Sequence, residues 1–407
     1  MKEVLTTIKP DQKEHLLLKK NTQALLKKLN SKLHGAEAIL GGSGAKDTWL
    51  SGSHDLDIFV RFDYDTFASR TSELSDLLQP ALKKSFSKIT RLHGSRDYFQ
   101  LKYKNMNVEV IPILNISKAE QAKNITDVSP LHSIWVNKHT KSIKDDVRLM
   151  KQFLKANHLY GAESHIRGFS GYVVEILIAY YGSFEKLLQA SQSWAVKEII
   201  DAAKFYPTND VLFQLNKSKT QSPLIVIDPV DKNRNAAAAL SDDAFFQFKK
   251  LARDYLKKPH ASFFVKKKID LAQLRRETNL NIVYITVAPF SGKEDVVGTK
   301  ILKVFTFLQE KLKKFVVKKS GWDWDIMYFL VEKKELPKEE LMQGPPMGMK
   351  EHVQRFRKKH KNAFEEKGRL LARVPVKYPK LENYVAWLVK EKYLKRYVKR
   401  VKTVKVL

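Results

Sequence analysis

The chain has 407 residues, 43% of them hydrophobic, with 74 Lys and Arg against 44 acidic residues and a formal net charge of +30. That length suggests roughly two to four domains, and so strong a basic excess points to a polyanionic partner, nucleic acid first. The absence of cysteine excludes disulfides and cysteine-ligated zinc, while the lack of an apolar leader or of a run of about 18 apolar residues makes a cytoplasmic protein the expectation over a secreted or membrane-spanning one.

In chain order, residues 11–33 predict a helix, with leucines at 16, 17, 18, 25, 26, 29 and 33 set between lysines and Gly35 as the stop. Residues 55–62 (DLDIFVRF) alternate and are rich in β-formers, so they predict a strand. Residues 71–88 predict an amphipathic helix, and 98–103 and 107–113 predict two strands joined by a short turn. These elements make a small mixed α/β domain over 1–130. From 142 to about 258 the apolar spacing of three and four predicts a mainly helical region, bounded here as 131–258, with Ser241 and Asp242 able to cap its last helix. The remainder, 259–407, is mixed: a strand at NIVYITVAP, a helix over 295–314, a strand at DIMYFLVEKKEL, and a tail over 390–407 with eight basic residues and one acid. In that tail Val401, Val404 and Val406 suggest a short strand, and Tyr393 and Tyr397, four apart, suggest one helix face.

Chemistry concentrates in residues 41–60, GGSGAKDTWLSGSHDLDIFV. Gly41, Gly42 and Ser43 precede a segment able to form a short helix, where a glycine turn lets backbone N–H groups approach phosphate and Ser43 adds a donor. Lys46 adds a point charge one turn later. Asp55 and Asp57, two apart on the predicted strand, point to one face. Like charges side by side cost free energy, and a divalent cation held by oxygen ligands offsets that cost. Two solvated aspartates at a strand edge are the bland alternative, which the buried-strand run Ile58–Phe59–Val60 disfavours. Glu109, between Val108 and Val110 on the later strand, is available as a third carboxylate. Such a set around two Mg²⁺ suits in-line phosphoryl transfer.

This signature resembles that of the polymerase β-type nucleotidyltransferase superfamily, and the likeness to its archaeal, class I CCA-adding branch continues through NVEVIP, SPLHSIWVNKH, VRLMKQFLKANHLYGAESHIRGFSGYVVEILIAYYGSF, IDPVDKNRNAAAAL, GPPMG and AFEEKGRLLARV. The resemblance implies an α+β chain with a polymerase β-like head on a mixed sheet, a helical neck, an α/β body and a basic tail. It implies template-independent addition of C, C and A to the 3′ end of tRNA from CTP and ATP with Mg²⁺. The acceptor stem and T arm are then the RNA partner, and monomer and homodimer both stay open. Carried over by position, Ser43 and Lys46 meet the nucleotide phosphates, and Asp55, Asp57 and Glu109 match the metal carboxylates. His132, Lys151 and Tyr160 hold the incoming nucleotide, and Arg234 reads its base edge.

Taken singly, Lys151 reads as a surface lysine, Tyr160 as a half-buried tyrosine, His132 as a satisfied loop histidine, and Arg234 as a helix N-terminal arginine bridged to Asp231. The pattern departs from the family at Glu109, where Asp is common, and at Asp47, where Gly or Asn is usual and where the acid is expected to face away and cap the short helix. An RRM-like strand–helix–strand order spans 281–331 without an RNP aromatic motif, so Tyr284, Tyr328 and Phe329 read as core. A poly(A)-type polymerase or A-adding relative, and a catalytically silent tRNA-binding protein, are the alternatives.

Overall fold

A computed structural model describes residues 1–53, 55–207 and 210–407; His54, inside the signature, lies outside the described residues. The chain divides into two compact units, 1–267 and 268–407.

In the first unit, α1 (Lys2–Ile8) precedes α2 (Gln12–Asn30), which starts at a capping box between Asp11 and Glu14. After the turn at Gly35 the chain enters β1 (Ala36–Leu40), the five-residue helix α3 (Gly42–Lys46) and β2 (Asp55–Phe62). The predicted helix over 71–88 is realised as a 3₁₀ turn running into α4 (Leu74–Ser85). Then follow β3 (Ile89–Leu92), β4 (Tyr98–Tyr103) and β5 (Met106–Leu114). These strands form one mixed sheet in the order β1-β2-β5-β4-β3, in which only β2 and β5 run parallel. The even-numbered residues of β2 (Leu56, Ile58, Val60, Phe62) go into a core with Leu25 and Leu29 of α2 and Leu74, Leu78 and Leu82 of α4. The odd-numbered face, carrying Asp55 and Asp57, is therefore left for chemistry. Asp127 fastens the chain that leaves β5: its carboxylate accepts from the Leu114 amide (2.9 Å) and from the buried Arg96 guanidinium (2.5 Å).

The rest of this unit is α5 (Ser129–His139), α6 (Lys144–Ala156), α7 (Gly171–Tyr181), α8 (Phe184–Ser191) and α9 (Asp242–Lys257), packed on a continuous apolar core that also takes Val4 and Ile8 from α1. Ser241 does cap α9, accepting from the Ala244 amide. The region is less uniformly helical than its periodicity suggests. A three-stranded sheet, β6 (Glu198–Ile200), β7 (Leu224–Asp228) and β8 (Asp231–Asn235), falls between α8 and α9 in the chain. All five residues of β7 are buried, so its apolar run carries no alternation to mark it as a strand.

The second unit pairs β9 (Asn281–Ala288), β10 (Val317–Asp323), β11 (Ile326–Val331) and the C-terminal β15 (Arg400–Val406) in the order β10-β11-β9-β15. Helices α10 (Glu294–Leu312) and α12 (Leu381–Leu388) supply the other half of its core. Phe329 is buried there, and Tyr393 stacks on Phe307 (4.4 Å between centroids) and packs on Tyr397 (5.0 Å). A smaller antiparallel sheet, β12 (Glu339–Pro346), β14 (Arg369–Pro375) and β13 (Phe364–Glu366), carries α11 (Lys350–Lys359) against β12. In β15 the register against β9 slips between Val401 and Thr403. That bulge is why the valines fall at 401, 404 and 406 and not at every second position.

Candidate active site

The glycine turn is built against β2. The Gly41 amide donates to the Asp57 carbonyl (2.8 Å). Gly42 has φ +53°, and a Cβ there would lie 1.6 Å from Asp57 Oδ2; a Cβ at Gly41 would lie 2.3 Å from the Phe59 ring. Only glycine lets the turn lie directly on the carboxylate strand. Asp47 ends α3 in a left-handed conformation (φ 51°), so it does cap the helix. Its carboxylate is turned to α6, accepting from Arg148 (2.8 Å) and Lys144 (3.3 Å). Arg148 also donates to the backbone carbonyls of Asp47 and Trp49, so this acid helps clamp the turn to α6.

Parallel pairing sets Asp57 opposite Glu109 and Asp55 opposite Asn107. Asp55 Oδ1 accepts from Asn107 Nδ2 (3.2 Å), and Glu109 Oε1 accepts from Gln100 Nε2 (2.7 Å). Burial pushes the Asp57 carboxyl up to about 6; Glu109 and Asp55 add to the rise, and Lys46 opposes it. Among the described residues no three carboxylate or imidazole groups are close enough to ligate one ion as they stand. The three carboxylates nevertheless make an all-oxygen donor set of the kind hard divalent cations take. A cation is also the charge that would relieve Asp57 of its burial and its like-charged neighbours.

Beside this set lies a buried cationic cluster. Lys46 Nζ donates to Glu175 Oε2 (2.6 Å), and Lys151 Nζ donates to Glu175 Oε1 (2.8 Å) and to Thr48 Oγ1 (2.9 Å), whose hydroxyl in turn donates to Glu175 Oε1 (2.6 Å). Lys151 is no surface lysine: its side chain is almost wholly buried. Tyr160 stands next to it, over the start of α7, where a Cβ at Gly171 would come within 2.7 Å of the phenol oxygen. Burial, with Glu175 nearby, pushes the Tyr160 hydroxyl up, so it stays a neutral donor.

A second anionic centre, Asp228, gathers the remaining residues. His132 Nε2 lies 3.0 Å from Asp228 Oδ2; since a carboxylate only accepts, that nitrogen carries the proton. Tyr172 donates its hydroxyl to Asp228 Oδ1 (2.8 Å) and stacks on the His132 ring at 4.0 Å. Arg234 donates to Asp228 Oδ2 (2.6 Å). Arg234 thus sits on a strand and bridges Asp228, not on a helix N-terminus bridging Asp231. Burial holds His132 below the ordinary imidazole range despite the pull of Asp228, whose own carboxyl is held down at about 2 by His132 and Arg234 against its burial. The Arg234 side chain keeps 30% of its surface exposed, so an outward edge is free for a ligand. Lys46 lies 5.9 Å from the Tyr172 ring centroid, which joins the two centres.

All the site residues singled out in the sequence therefore fall in this unit. Asp55, Asp57 and Glu109 sit across two strands, Ser43 and Lys46 on the adjoining short helix, Lys151 and Tyr160 beside Glu175, and His132 and Arg234 on Asp228. Sequence reasoning missed Glu175, Thr48, Tyr172 and Asp228. Two of them left a trace: Glu175 is the one acid in the apolar run GYVVEILIAYY, and Asp228 closes the apolar run LIVID.

Two family models match the chain, one described as a nucleotidyltransferase domain over residues 23–149 and one as tRNA nucleotidyltransferase, second domain, over residues 145–265. The CCA-adding enzyme of Nanoarchaeum equitans is 33% identical over 369 residues, covering 89% of each chain. That of Methanocaldococcus jannaschii is 33% identical over 401 residues (91% of this chain, 86% of the other), and that of Methanosarcina mazei 30% over 403 residues (92% and 86%). Among solved structures, a cytoplasmic RNA terminal U-transferase superposes with a TM-score of 0.51 at 14% identity, and Cid1, with RNA terminal uridylyl transferase activity, with 0.53 at 14%. Each covers 66% of this chain and 97% of the other, and the likeness is one of fold, the polymerase β-like nucleotidyltransferase fold. Among the described residues no helix is long and apolar enough to cross a membrane.

Proposed function

The chain belongs to the CCA-adding enzymes, and from that membership we propose that it adds C, C and A to the 3′ end of tRNA from CTP and ATP without a nucleic-acid template. The observation that carries the chemistry is Asp57 set opposite Glu109 on parallel strands, with the glycine turn lying on Asp57. In each cycle the RNA 3′ oxygen attacks the α-phosphorus of the nucleotide, its new bond to phosphorus forms as the bond to the β-phosphate oxygen breaks, and pyrophosphate leaves with the proton passing to solvent.

The reaction uses a divalent metal, and we assign it as two Mg²⁺ held by Asp55, Asp57 and Glu109, with Glu109 released from Gln100 to complete the set. Magnesium, when bound there, supplies Lewis acidity toward the attacking hydroxyl and charge for the leaving pyrophosphate. The chain's own residues do the positioning. Ser43 and the glycine turn receive phosphate oxygens, and Lys46 and Lys151 balance triphosphate charge. Tyr160 donates a neutral hydroxyl. The paired donors of Arg234, held by Asp228 beside a neutral His132, meet acceptor atoms on the base edge that cytosine and adenine share in kind, O2 and N3 of the one and N1 of the other. The basic strand β15 and the basic last turn of α11 suit the acceptor stem and T arm, because phosphate contacts hold any tRNA without reading its sequence.

The test is incorporation into tRNA lacking its last three nucleotides, with Mg²⁺ and CTP, ATP or both. CTP alone should add two residues and the pair should add three and stop. Unlimited A-addition would replace this reading with a poly(A)-type polymerase, and no incorporation with any nucleotide would refute enzymatic function.

A further inference from the structure

Glu175 is a fully buried charge, with no side-chain exposure, midway along an otherwise apolar helix. Its three partners come from two separate segments: Lys46 at the end of α3 with Thr48 just beyond it, and Lys151 on α6. One carboxylate against two ammonium groups leaves the cluster with a net positive charge while both lysine side chains are nearly buried. Stability does not call for such a set. Well-packed apolar residues usually serve a core as well as or better than buried ions, and an uncompensated cation is costly. An excess buried cation is what a docking anion would neutralise. Lys46 ends the short helix whose first residue, Gly42, lies on Asp57, and it stands 5.9 Å from the ring of Tyr172, which bonds Asp228, so the excess charge lies between the two places the nucleotide must touch.

Resting on the reading that Lys46 and Lys151 meet the triphosphate, we propose that Glu175 is the positioning residue of the phosphate site, a buried carboxylate that fixes both ammonium groups side by side for the triphosphate of the incoming nucleotide. It touches no substrate and acts through the two lysines, as outer-shell carboxylates orient metal ligands. A carboxylate is needed because every group facing it donates: two ammonium groups and the Thr48 hydroxyl. Glutamine would offer one accepting oxygen and turn an NH₂ donor toward a donor. Aspartate, one methylene shorter, reaches one lysine and not both.

The experiment compares the full-length protein with E175Q and E175D, using trimmed tRNA and excess Mg²⁺, and adds inorganic tripolyphosphate, which has phosphates but no base. For E175Q the KM values for CTP and ATP should rise together by about tenfold, the scale of one lost charged hydrogen bond. Inhibition by tripolyphosphate should weaken by the same factor, kcat should fall less than KM rises, and tRNA affinity should hold within about twofold. E175D should fall between the wild type and E175Q. A folded E175Q with unchanged tripolyphosphate inhibition, or with CTP and ATP shifted by different factors, overturns the proposal. If E175Q does not fold, E175D decides, and an unchanged tripolyphosphate constant there overturns it equally. Calorimetric binding of tripolyphosphate needs no turnover. A wild type that binds it, with binding weakened about tenfold in E175Q and less in E175D, but incorporates nothing would therefore refute the function and leave the role of Glu175 standing.

Discussion

Asp57 and Glu175 are both carboxylates withdrawn from water in the same unit, and their surroundings push them in opposite directions. Asp57 stands on a sheet beside Glu109 and Asp55, and its carboxyl is pushed up to about 6, by burial first. Glu175 stands on a helix between two lysines that overcome a still deeper burial and hold its carboxyl down at about 2. The sheet set, three carboxylates, has an excess of negative charge and the helical set, two ammonium groups on one carboxylate, an excess of positive charge. A nucleotide triphosphate with its divalent cation carries the opposite of each, so the two regions are complementary to the two ends of one ligand.

The sharpest way to break this contrast is to remove charge from each side. Asp57→Ala should lower incorporation by about a thousandfold or more, since charge stabilisation at the reacting phosphate is the largest catalytic effect here, with tRNA affinity measured by filter binding nearly unchanged. A large drop in tRNA binding would make Asp57 structural. The stability effects should have opposite signs. Asp57 binds its proton more tightly folded than unfolded, so its contribution is present below the usual aspartate pKa and lost as pH rises through about 6. Asp57→Asn should therefore raise the metal-free melting temperature at pH 7, by a free energy on the order of 1–3 kcal/mol. Glu175→Gln should lower it, by roughly 3–5 kcal/mol for a broken buried pair. Shifts of the same sign would dissolve the comparison.

Arg234→Ala should change the ratio of CTP to ATP incorporation more than it changes tRNA affinity; an unaltered ratio would refute base reading by its guanidinium. Asp228, which holds Arg234, sharpens the paired side of the contrast. Its folded pKa is depressed to about 2, so its stabilisation is present above the usual aspartate pKa and lost as pH falls through about 2. In acid melts, Asp228→Asn should be less stable than the wild type at pH 6, with the gap closing between about pH 4 and 2; a gap independent of pH would mean that packing, not charge, is at stake. The smallest effect is expected at the surface. Deleting the tail would strip β15 from its sheet, so the test is charge removal: Arg400, Lys402 and Lys405 to Gln should flatten the salt dependence of tRNA binding by up to about one log unit for each phosphate no longer neutralised. An unchanged slope would take β15 off the phosphates.

Much of the fold was legible because burial on one side imposes a period. The alternation of DLDIFVRF marked β2 and put both aspartates on one face. Leucine spacing marked α2 in the same way, and the three- and four-residue apolar spacing marked α6 and α9. Where an element is buried on all sides the period vanishes, which hid β7 and left 131–258 looking mainly helical. A bulge broke the alternation of β15 without destroying the strand.

By itself the sequence determined the glycine turn, the Asp55/Asp57 pair, the basic excess and the family likeness, all carried by local spacing or by residue-for-residue match. Only the tertiary structure decided which charges share a neighbour. Parallel pairing of strands about fifty residues apart set Glu109 opposite Asp57, and the packing of α7 against α6 and α3 put Glu175 between Lys46 and Lys151. An isolated charge in a sequence has no period to reveal its partner; burial makes the partner obligatory, and the fold alone says which one it is.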